Sequence, residues 1–295
     1  MNKLELLAER FEEQRPHLRA VAYRMLGSLS EADDAVQETW LRVSRADSGG
    51  IENLRAWLTT ITARICLNTL KSRNSRPEEP VGAHVPDPII SLDDRLDPEQ
   101  EVLLADSVGL ALLVVLDALE PAERLAFVLH DMFAVPFDEI APIVERSPAA
   151  TRQLASRARR RVQGATPFPD TDLSGQREVV DAFLAASREG DFEALIAILA
   201  PEVVLRADRG ALPPGASQVV RGAHAVAEQT MAFARSRRGE PTPALINGEA
   251  GVVWAAQGRP YSIVGFTVRR GRIVAINILA DPVRLQQLNF DVPRE

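Results

Sequence analysis

An arginine-rich stretch in the second third of the chain has residue types and spacing suited to contact with nucleic acid. Six arginines and no acidic residue lie between Arg146 and Arg161. Ser147 is a natural N-cap and Pro148 a natural first helical residue, so the spacing predicts a helix that begins at residue 148. The side chains on one side of this helix are short near its start and then polar and cationic. A helix that enters a major groove must present a side of this kind. The polar members of that side are Arg152, Gln153, Ser156, Arg157 and Arg160.

A short apolar helix is predicted just before this one, with its apolar residues at i, i+3, i+4 and i+7. They are Phe137, Ile140, Ala141 and Val144. Pro142 should kink this helix, and Glu145 stands in a turn where glycine often supplies a positive φ. An amphipathic helix with a solvated basic face is the plainer interpretation, but the cap, the partner helix and the arginine cluster favour a helix-turn-helix.

A second candidate surface for nucleic acid lies near the start of a helix predicted over Leu54 to Ser72. Arg55, Trp57 and Arg64 follow a loop that ends at Asn53. Cationic side chains mixed with an aromatic ring are typical of single-strand recognition, in which the ring stacks on an unpaired base. Packing of Trp57 in the core is an equally good interpretation.

A polar stripe on the preceding helix, predicted to begin after a Ser30 cap, would suit a protein partner. It comprises Asp34, Gln37 and Glu38 beside the apolar Leu41. Acids in the first turn of a helix also stabilise its dipole, which is the alternative explanation for Asp34.

Composition bounds the class of protein. The 295 residues predict two or three domains, and the 46% apolar content suffices for packed cores. No membrane span is predicted, because no apolar run reaches about 18 residues, and no signal peptide is predicted, because the N-terminal residues lack its apolar core. Cys66 is the single cysteine, which excludes an intrachain disulfide and a cysteine metal cluster. No metal or cofactor is therefore expected, and the setting is expected to be cytoplasmic.

The overall charge of −7 is concentrated in the middle of the chain, where residues 76–120 carry 11 acidic and 2 basic groups. Residues 76–97 read as a linker in which Pro77, Pro80, Pro86 and Pro88 favour extended backbone. A solvated tether and a nucleic-acid mimic in a basic channel are both open as interpretations.

Five segments are predicted in order: an all-α domain at 1–75, the linker at 76–97, a second all-α domain with the helix-turn-helix at 98–164, a linker at 165–175 and an α+β domain at 176–295. The last combines three helices with a first strand and a later run of antiparallel strands. A curved sheet wrapped by helices would form a cone with a pocket.

The two helical domains resemble an extracytoplasmic-function sigma factor of bacterial RNA polymerase. The resemblance rests on residues 30–43 (SEADDAVQETWLRV), residues 54–61 (LRAWLTTI) and the block from Pro121 to Val162. The α+β domain resembles SnoaL-like polyketide cyclases of the NTF2-like fold. This combination is typical of the SigJ-like subgroup, whose linker and tail elements are matched here by Pro86-Asp87-Pro88, by Asp208, Arg209 and Gly210, and by the stretch Asp281-Pro282-Val283-Arg284-Leu285.

The resemblance implies a role for each candidate surface. The stripe of Asp34, Gln37, Glu38 and Leu41 would bind the clamp helices of the largest polymerase subunit, and the polymerase flap would be a further contact of the chain. Asn53, Arg55, Trp57 and Arg64 would capture melted minus-10 bases, and the arginine-rich helix would read the minus-35 element of promoter DNA. The linker would thread through the polymerase, and the tail would regulate in cis through Asp208, Arg209, Gly210, Asp281 and Pro282.

Catalysis in the tail is disfavoured, so the chain is not expected to be an enzyme. The acid–base candidates are Asp191, Asp208, His224 and Asp281. Asp191 is better explained as a helix cap and Asp208 as an ion pair with Arg209. A docking surface is favoured over a small-molecule ligand in the pocket. The alternative functions are a ligand-gated helix-turn-helix regulator that acts without polymerase, and a cyclase-like or isomerase-like enzyme fused to a DNA-binding head.

Overall fold

The computed structural model describes residues 3–45, 53–74, 83–92, 109–165, 169–170, 172–210, 216–235 and 239–288. The chain divides into two compact units. The helical unit is Met1–Glu78, Pro98–Asp106 and Val115–Ala165, and the C-terminal unit is Glu79–Asp97, Ser107–Val114 and Thr166–Glu295. Within the described ranges, no helix could cross a membrane. The same ranges hold no group of three or more His, Cys, Asp or Glu residues arranged to hold a metal ion.

The helical unit begins with three helices packed around one apolar cluster. They are α1 (Lys3–Leu26), α2 (Leu29–Val43) and α3 (Leu54–Asn74). Their shared cluster is Leu7, Phe11, Leu18, Val36, Val43, Leu54 and Leu58. The N-cap of α2 is Ser28 rather than the predicted Ser30, because Ser28 has extended backbone and its hydroxyl accepts from the Glu31 N–H.

The rest of the helical unit contains the predicted helix-turn-helix. Its helices are α4 (Leu110–Asp117, of which residues 115–117 belong to this unit), α5 (Pro121–Phe127), α6 (Phe137–Val144) and α7 (Pro148–Ala165). A π-helical turn over Val128–Met132 follows α5 directly and precedes α6. Glu145 takes the left-handed conformation (φ 56°) without glycine. Pro142 is tolerated inside α6, since the carbonyl that it leaves unbonded belongs to the exposed Asp138.

The C-terminal unit is built on one sheet, and the expected helical-plus-α+β architecture is confirmed. Its helices are α8 (Leu173–Glu189), α9 (Phe192–Ile198), α10 (Ala223–Ala234) and α11 (Pro282–Gln287). Its strands are β1 (Ile90–Ser91), β2 (Leu199–Asp208), β3 (Gln218–Arg221), β4 (Pro241–Ile246), β5 (Glu249–Ala256), β6 (Arg259–Arg269) and β7 (Arg272–Leu279). The described strands lie in the order β1-β4-β5-β6-β7-β2-β3.

Three features of this sheet differ from the sequence-based expectation. Strand β2 pairs with β7 in parallel, whereas the other pairings are antiparallel. Strand β1 comes from the proline-rich linker and adds to the edge of β4, with Ile90 opposite Ile246. A two-residue edge strand carries too little periodicity to be predicted. The short β3 was also missed, beside a Gly/Pro-rich loop.

Candidate functional site

The arginine-rich helix α7 is positioned by its own cap and by a buried apolar side. Ser147 Oγ accepts from the Ala150 N–H at 3.2 Å, which confirms the predicted cap. Thr151, Ala155, Ala158 and Val162 are buried against the unit. Of the predicted minus-35 residues, Arg152, Gln153, Arg157 and Arg160 are exposed and Ser156 is half-buried. The structure therefore brings all five onto the open side of one helix.

Two of the α7 arginines are anchored by Glu123, a buried acid on α5 with 5% exposure. Arg157 Nε donates to Glu123 Oε1 at 2.8 Å, and Arg161 Nη1 donates to Glu123 Oε2 at 3.0 Å. Arg157 is thus partly a structural residue, although 51% of its side-chain surface is exposed. Sequence reasoning identified Arg157 but not Glu123. The signal for Glu123 was an acidic side chain in an otherwise apolar helix.

Arg152 is held in a different way. Its guanidinium lies 5.3 Å from the centroid of the Phe137 ring, and that ring stacks on His130 at 3.8 Å. Such a cation–π contact restrains a long side chain without removing its hydrogen-bond donors. The open side of α7 is consequently organised before any ligand binds.

The candidate minus-10 residues lie at the start of α3 and along its length. Asn53 Oδ1 accepts from the Ala56 N–H at 3.0 Å, so this residue caps the helix. Asn53, Arg55 and Arg64 are exposed, and Trp57 is half-buried at the edge of the apolar cluster of α1–α3. Trp57 therefore packs on the cluster with part of its ring accessible, and its contact with bases stays a prediction. Residues 46–52, the rest of the predicted base-capturing loop, lie outside the described residues.

Arg55 also contributes to packing inside the helical unit. Arg55 Nη2 donates to His17 Nδ1 at 2.9 Å, and His17 Nε2 contacts Thr59 Oγ1 at 3.1 Å. The edge of the His17 ring meets Phe133, 5.3 Å between centroids, just before the helix-turn-helix. The candidate minus-10 face thus lies next to the helix-turn-helix half of the same unit.

The candidate polymerase-binding stripe lies on the outer side of α2. Asp34, Gln37 and Leu41 are exposed. Leu41 is one of few large apolar residues with more than a third of its surface exposed in the described ranges, at 41%. Glu38 is half-buried and accepts from Arg42 Nε at 2.8 Å. This combination of one apolar side chain ringed by acids and amides is typical of a rim-and-core contact patch.

In the C-terminal unit, Arg284 of α11 binds two carboxylates and one carbonyl. Its Nε donates to Asp87 Oδ1 at 2.9 Å, its Nη1 to Asp208 Oδ2 at 2.8 Å, and its Nη2 to the Val85 carbonyl at 2.7 Å. Nη2 contacts Asp87 as well. Asp87 and Asp208 are only 7% and 6% exposed. These are charge-assisted bonds in a dry setting, where they are strongest.

Asp208 accepts further bonds from the linker and from its own loop. Val85 N–H donates to Asp208 Oδ2 at 3.0 Å and Gly210 N–H to Asp208 Oδ1 at 3.1 Å, while His84 Nδ1 lies 3.3 Å from Oδ2. Burial alone would raise the pKa of this carboxyl, but the hydrogen bonds from His84, Val85 and Gly210 and the charge of Arg284 lower it to about 2. Asp208 is therefore an ionised acceptor at the centre of the linker contact.

The predicted tail residues Gly210 and Asp281 support this arrangement. Asp281 caps α11 by accepting from the Val283 N–H at 2.9 Å, and Pro282 begins that helix, so both position Arg284. Gly210 has φ 76°, and a Cβ there would come within 2.8 Å of the Asp281 carboxyl. The expected Asp208–Arg209 ion pair is wrong: Asp208 pairs with Arg284, and the Arg209 guanidinium lies over Phe233 at 5.2 Å.

A second set of bonds holds the linker a few residues further on. Ile89 N–H donates to the Asn247 side chain at 3.0 Å, and Asn247 N–H donates to the Ile89 carbonyl at 2.8 Å. Pro86 and Pro88 keep the intervening backbone extended. We call this arrangement the linker clasp: Arg284, Asp208 and Asn247 holding linker residues 84–89, which continue into β1. Arg284 and Asn247 were not singled out as site residues from sequence.

The other acid–base candidates of the tail are structural. Asp191 caps α9 by accepting from the Ala194 N–H at 2.9 Å, as predicted, and His224 is exposed in the first turn of α10. Two pockets of the C-terminal unit include Asp181 or His224 in their lining. The aromatic cavity bounded by Phe183, Phe233, Trp254 and Phe266 is lined by no aspartate, glutamate or histidine of the described residues. The described lining therefore lacks the ordinary groups for general acid–base chemistry.

Comparison with known proteins gives a consistent result over the whole chain. A family model for sigma-70 region 2 matches residues 10–76, and one for sigma-70, region 4 matches residues 109–162. The chain is 38% identical over 285 residues to the ECF RNA polymerase sigma factor SigJ of Mycobacterium tuberculosis, a match that covers 92% of this chain and 91% of that protein. It is 32% identical over 302 residues to a second M. tuberculosis protein, named "Probable ECF RNA polymerase sigma factor SigI", with 99% of each covered.

The crystal structure of the M. tuberculosis extracytoplasmic function sigma factor SigJ matches with a TM-score of 0.77 at 36% identity, over 95% of this chain and 98% of that one. Sigma regions 2 and 4 thus contain the candidate promoter and polymerase surfaces, and the α+β unit follows them. The chain belongs to the extracytoplasmic-function sigma factors, non-enzymatic subunits that direct RNA polymerase to promoters, and it carries a C-terminal α+β domain.

Proposed function

We propose that three surfaces of the helical unit perform promoter recognition, and that the C-terminal domain controls them in cis through the linker clasp. In this proposal region 2 spans 1–75, region 4 spans 98–164 and the C-terminal domain spans 176–295, with linkers at 76–97 and 165–175. The site of action is the cytoplasm.

Each surface has its own ligand. The minus-35 element is read by Arg152, Gln153, Ser156, Arg157 and Arg160. The melted minus-10 strand is bound by Asn53, Arg55, Trp57 and Arg64. The clamp helices of the largest polymerase subunit bind Asp34, Gln37, Glu38 and Leu41, and the polymerase flap binds region 4. Arginines suit the duplex because they pair with both phosphates and guanine edges, and Trp57 suits the opened strand because unpaired bases stack on aromatic rings.

Promoter binding requires regions 2 and 4 to separate. The minus-35 and minus-10 elements are about 25 base pairs apart, which is about 85 Å of duplex at about 3.4 Å per base pair. In the helical unit, by contrast, the His17 ring touches Phe133 and Arg124 Nε donates to the Arg24 carbonyl at 3.2 Å. One compact unit cannot reach both elements, so this arrangement is the closed state of the protein.

The linker clasp is the observation that carries the regulatory part of the proposal. Residues 84–89 lie between regions 2 and 4, and the clasp fixes them by side-chain and backbone bonds to the C-terminal domain. With Asp87 only 7% exposed, the clasped linker cannot also follow a path through the polymerase. The clasped and polymerase-bound states therefore exclude each other, and the C-terminal domain inhibits until it releases the linker.

The charge arrangement allows this release without leaving Asp208 unpaired. Arg284 is the shared partner of Asp87 and Asp208, so withdrawal of the linker leaves Asp208 and Arg284 paired while Asp87 is returned to water. Loss of Arg284 instead leaves two buried carboxylates without their cation, which is strongly unfavourable. The linker can therefore leave while the Asp208–Arg284 ion pair stays intact. Removal of Arg284, by contrast, breaks the clasp itself.

A small-molecule ligand in the cavity of the C-terminal domain is the proposed signal for release. The cavity-lining Arg209 directly follows Asp208 in the chain, so occupation of the cavity would act next to the clasp.

Purified full-length protein and core RNA polymerase test the main assignment. We expect co-migration of the two at low salt and run-off transcription that depends on both. Tight binding to duplex promoter without polymerase would favour the ligand-gated regulator instead. Absence of any complex with core polymerase would contradict the assignment of the stripe on α2.

A further inference from the structure

The C-terminal domain contains a cavity between its sheet and its helices. Its empty volume is about 530 Å³, with the open solvent at the mouth included. Four aromatic side chains line it: Phe183, Phe233, Trp254 and Phe266. The aliphatic lining residues are Leu205, Ala207, Val264, Ile276 and Ile278. Aromatic rings on several sides favour a flat aromatic body over a flexible chain, since ring pairs gain from stacked and edge-on contacts.

The polar part of the lining is cationic or neutral. Among the described residues it comprises Arg209, Gln218, Gln229 and Thr230. Amides and a hydroxyl can donate to an anion without repelling it. The described lining contains no carboxylate, so an acidic ligand would meet one charge of opposite sign and none of its own.

Arg209 is the cation of this cavity, and no carboxylate of the described residues neutralises it. The neighbouring Asp208 is on the opposite side of β2, because side chains alternate along a strand, and it is bound to Arg284. The Arg209 guanidinium instead lies over the Phe233 ring, with 5.2 Å between its central carbon and the ring centroid. Its backbone N–H donates to Ser217 Oγ at 3.0 Å, which fixes the base of the side chain.

We propose that this cavity binds a small aromatic monocarboxylate, with the carboxylate paired to Arg209 and the ring among the four aromatic side chains. The planar guanidinium matches a carboxylate with two parallel N–H···O bonds. A neutral analogue would leave the arginine unpaired, and an amine would place a second cation beside it. The ligand class thus follows from one charge and four rings that line the same cavity.

Calorimetric titration of the full-length chain with 2-naphthoate, 2-naphthol and 2-naphthylamine tests this. We expect 2-naphthoate to bind with one-to-one stoichiometry and at least about tenfold more tightly than either analogue. Arg209→Gln should weaken naphthoate binding by about tenfold or more while changing naphthol binding little. Gln229→Glu, which places a like charge in the lining, should weaken naphthoate in the same way. Arg259→Gln, an exposed arginine outside the cavity, is the matched control and should bind as the unchanged protein does.

The proposal is overturned if naphthoate does not saturate the protein, if naphthol binds as tightly as naphthoate, or if Arg209→Gln and Gln229→Glu both leave naphthoate binding unchanged. Should Arg209→Gln fail to fold, Gln229→Glu and Arg209→Lys decide the matter. The titration contains neither polymerase nor DNA. A negative titration would therefore not contradict the proposed regulation by the linker clasp. Negative transcription experiments would not contradict the proposed binding site.

Discussion

Arg284 and Asp87 are 197 positions apart in the chain, yet Arg284 Nε donates to Asp87 Oδ1 at 2.9 Å in a largely buried ion pair. Because Asp87 belongs to the linker between regions 2 and 4, this pair connects the C-terminal domain to the segment that must move in the proposed opening of the factor. Several consequences of this connection can be measured.

Arg284→Gln should open the clasp. It leaves Asp87 and Asp208 buried without their cation, and breaking buried pairs in this way costs about 3–5 kcal/mol. Amide hydrogen exchange at Val85 and Ile89, whose N–H groups donate to Asp208 and Asn247, should become at least about tenfold faster. Arg188→Gln is the control, since its ion pair with Glu240 is exposed and 3.6 Å long. Equal protection in both variants would show that Arg284 does not hold the linker.

Glu249→Gln should remove a pH-dependent weakness of the C-terminal domain. Glu249 is 6% exposed, and its Oε1 has no hydrogen-bond partner among the described residues. Burial raises the pKa of this carboxyl to about 7, although a bond from the Thr267 hydroxyl opposes the rise. Because the pKa of Glu249 is higher in the folded state than in the unfolded state, the C-terminal domain is most stable below about pH 4.5. It loses this stability as the pH rises through about 7.

At about pH 8 the loss amounts to about 3 kcal/mol. Calorimetric melting of Glu249→Gln should therefore show a higher transition temperature than the unchanged chain at about pH 8, and little difference at about pH 5. Glu240→Gln, on the exposed surface, should change neither. An identical pH dependence in Glu249→Gln and the unchanged chain would contradict the burial of an ionisable group at this position.

Arg160→Ala and Arg157→Ala should separate promoter reading from folding. Arg160 is exposed and forms no ion pair with a described residue, so its loss should weaken minus-35 binding by about 1–3 kcal/mol with no change in melting temperature. Arg157→Ala should weaken binding and also lower the melting temperature, because Glu123 loses a partner. Arg161→Ala is the control for stability alone, because Arg161 has the Glu123 contact in common with Arg157 but is not among the promoter-reading residues. Unchanged promoter preference in Arg160→Ala would remove this residue from the reading surface.

Regions 2 and 4 should move apart on promoter binding. Cysteines introduced at the exposed Glu9 and Gln163 can carry a fluorescent pair. Native Cys66 should stay unlabelled, since it is fully buried and burial raises the pKa of its thiol to about 12. Energy transfer should be high in the free protein and fall when core polymerase and promoter are added, because the two DNA elements are about 85 Å apart. Transfer that stays high in the transcribing complex would contradict the closed-to-open change.

The sequence predicted best what local signals determine. Ser147 and Pro148 mark the start of α7 by cap chemistry alone, and the arginine face follows from helical spacing. The clasp could not be predicted in this way, since the partners of Asp87 are set by how the sheet and α11 come together. The acidic composition of the linker predicted that its carboxylates contact solvent or a basic channel, whereas Asp87 is buried against Arg284. The position of Trp57 does not separate its two interpretations, because a half-buried ring at the edge of the cluster is compatible with both core packing and stacking on a base.

Run-off transcription with purified core polymerase tests the central claim most directly. The full-length chain, Arg284→Gln and Arg188→Gln would be compared on one promoter at equal concentrations. If the clasp withholds the linker from polymerase, Arg284→Gln should give several-fold more transcript than the other two, with no change in the promoter that is used. Equal or lower transcript from a folded Arg284→Gln variant would contradict the account.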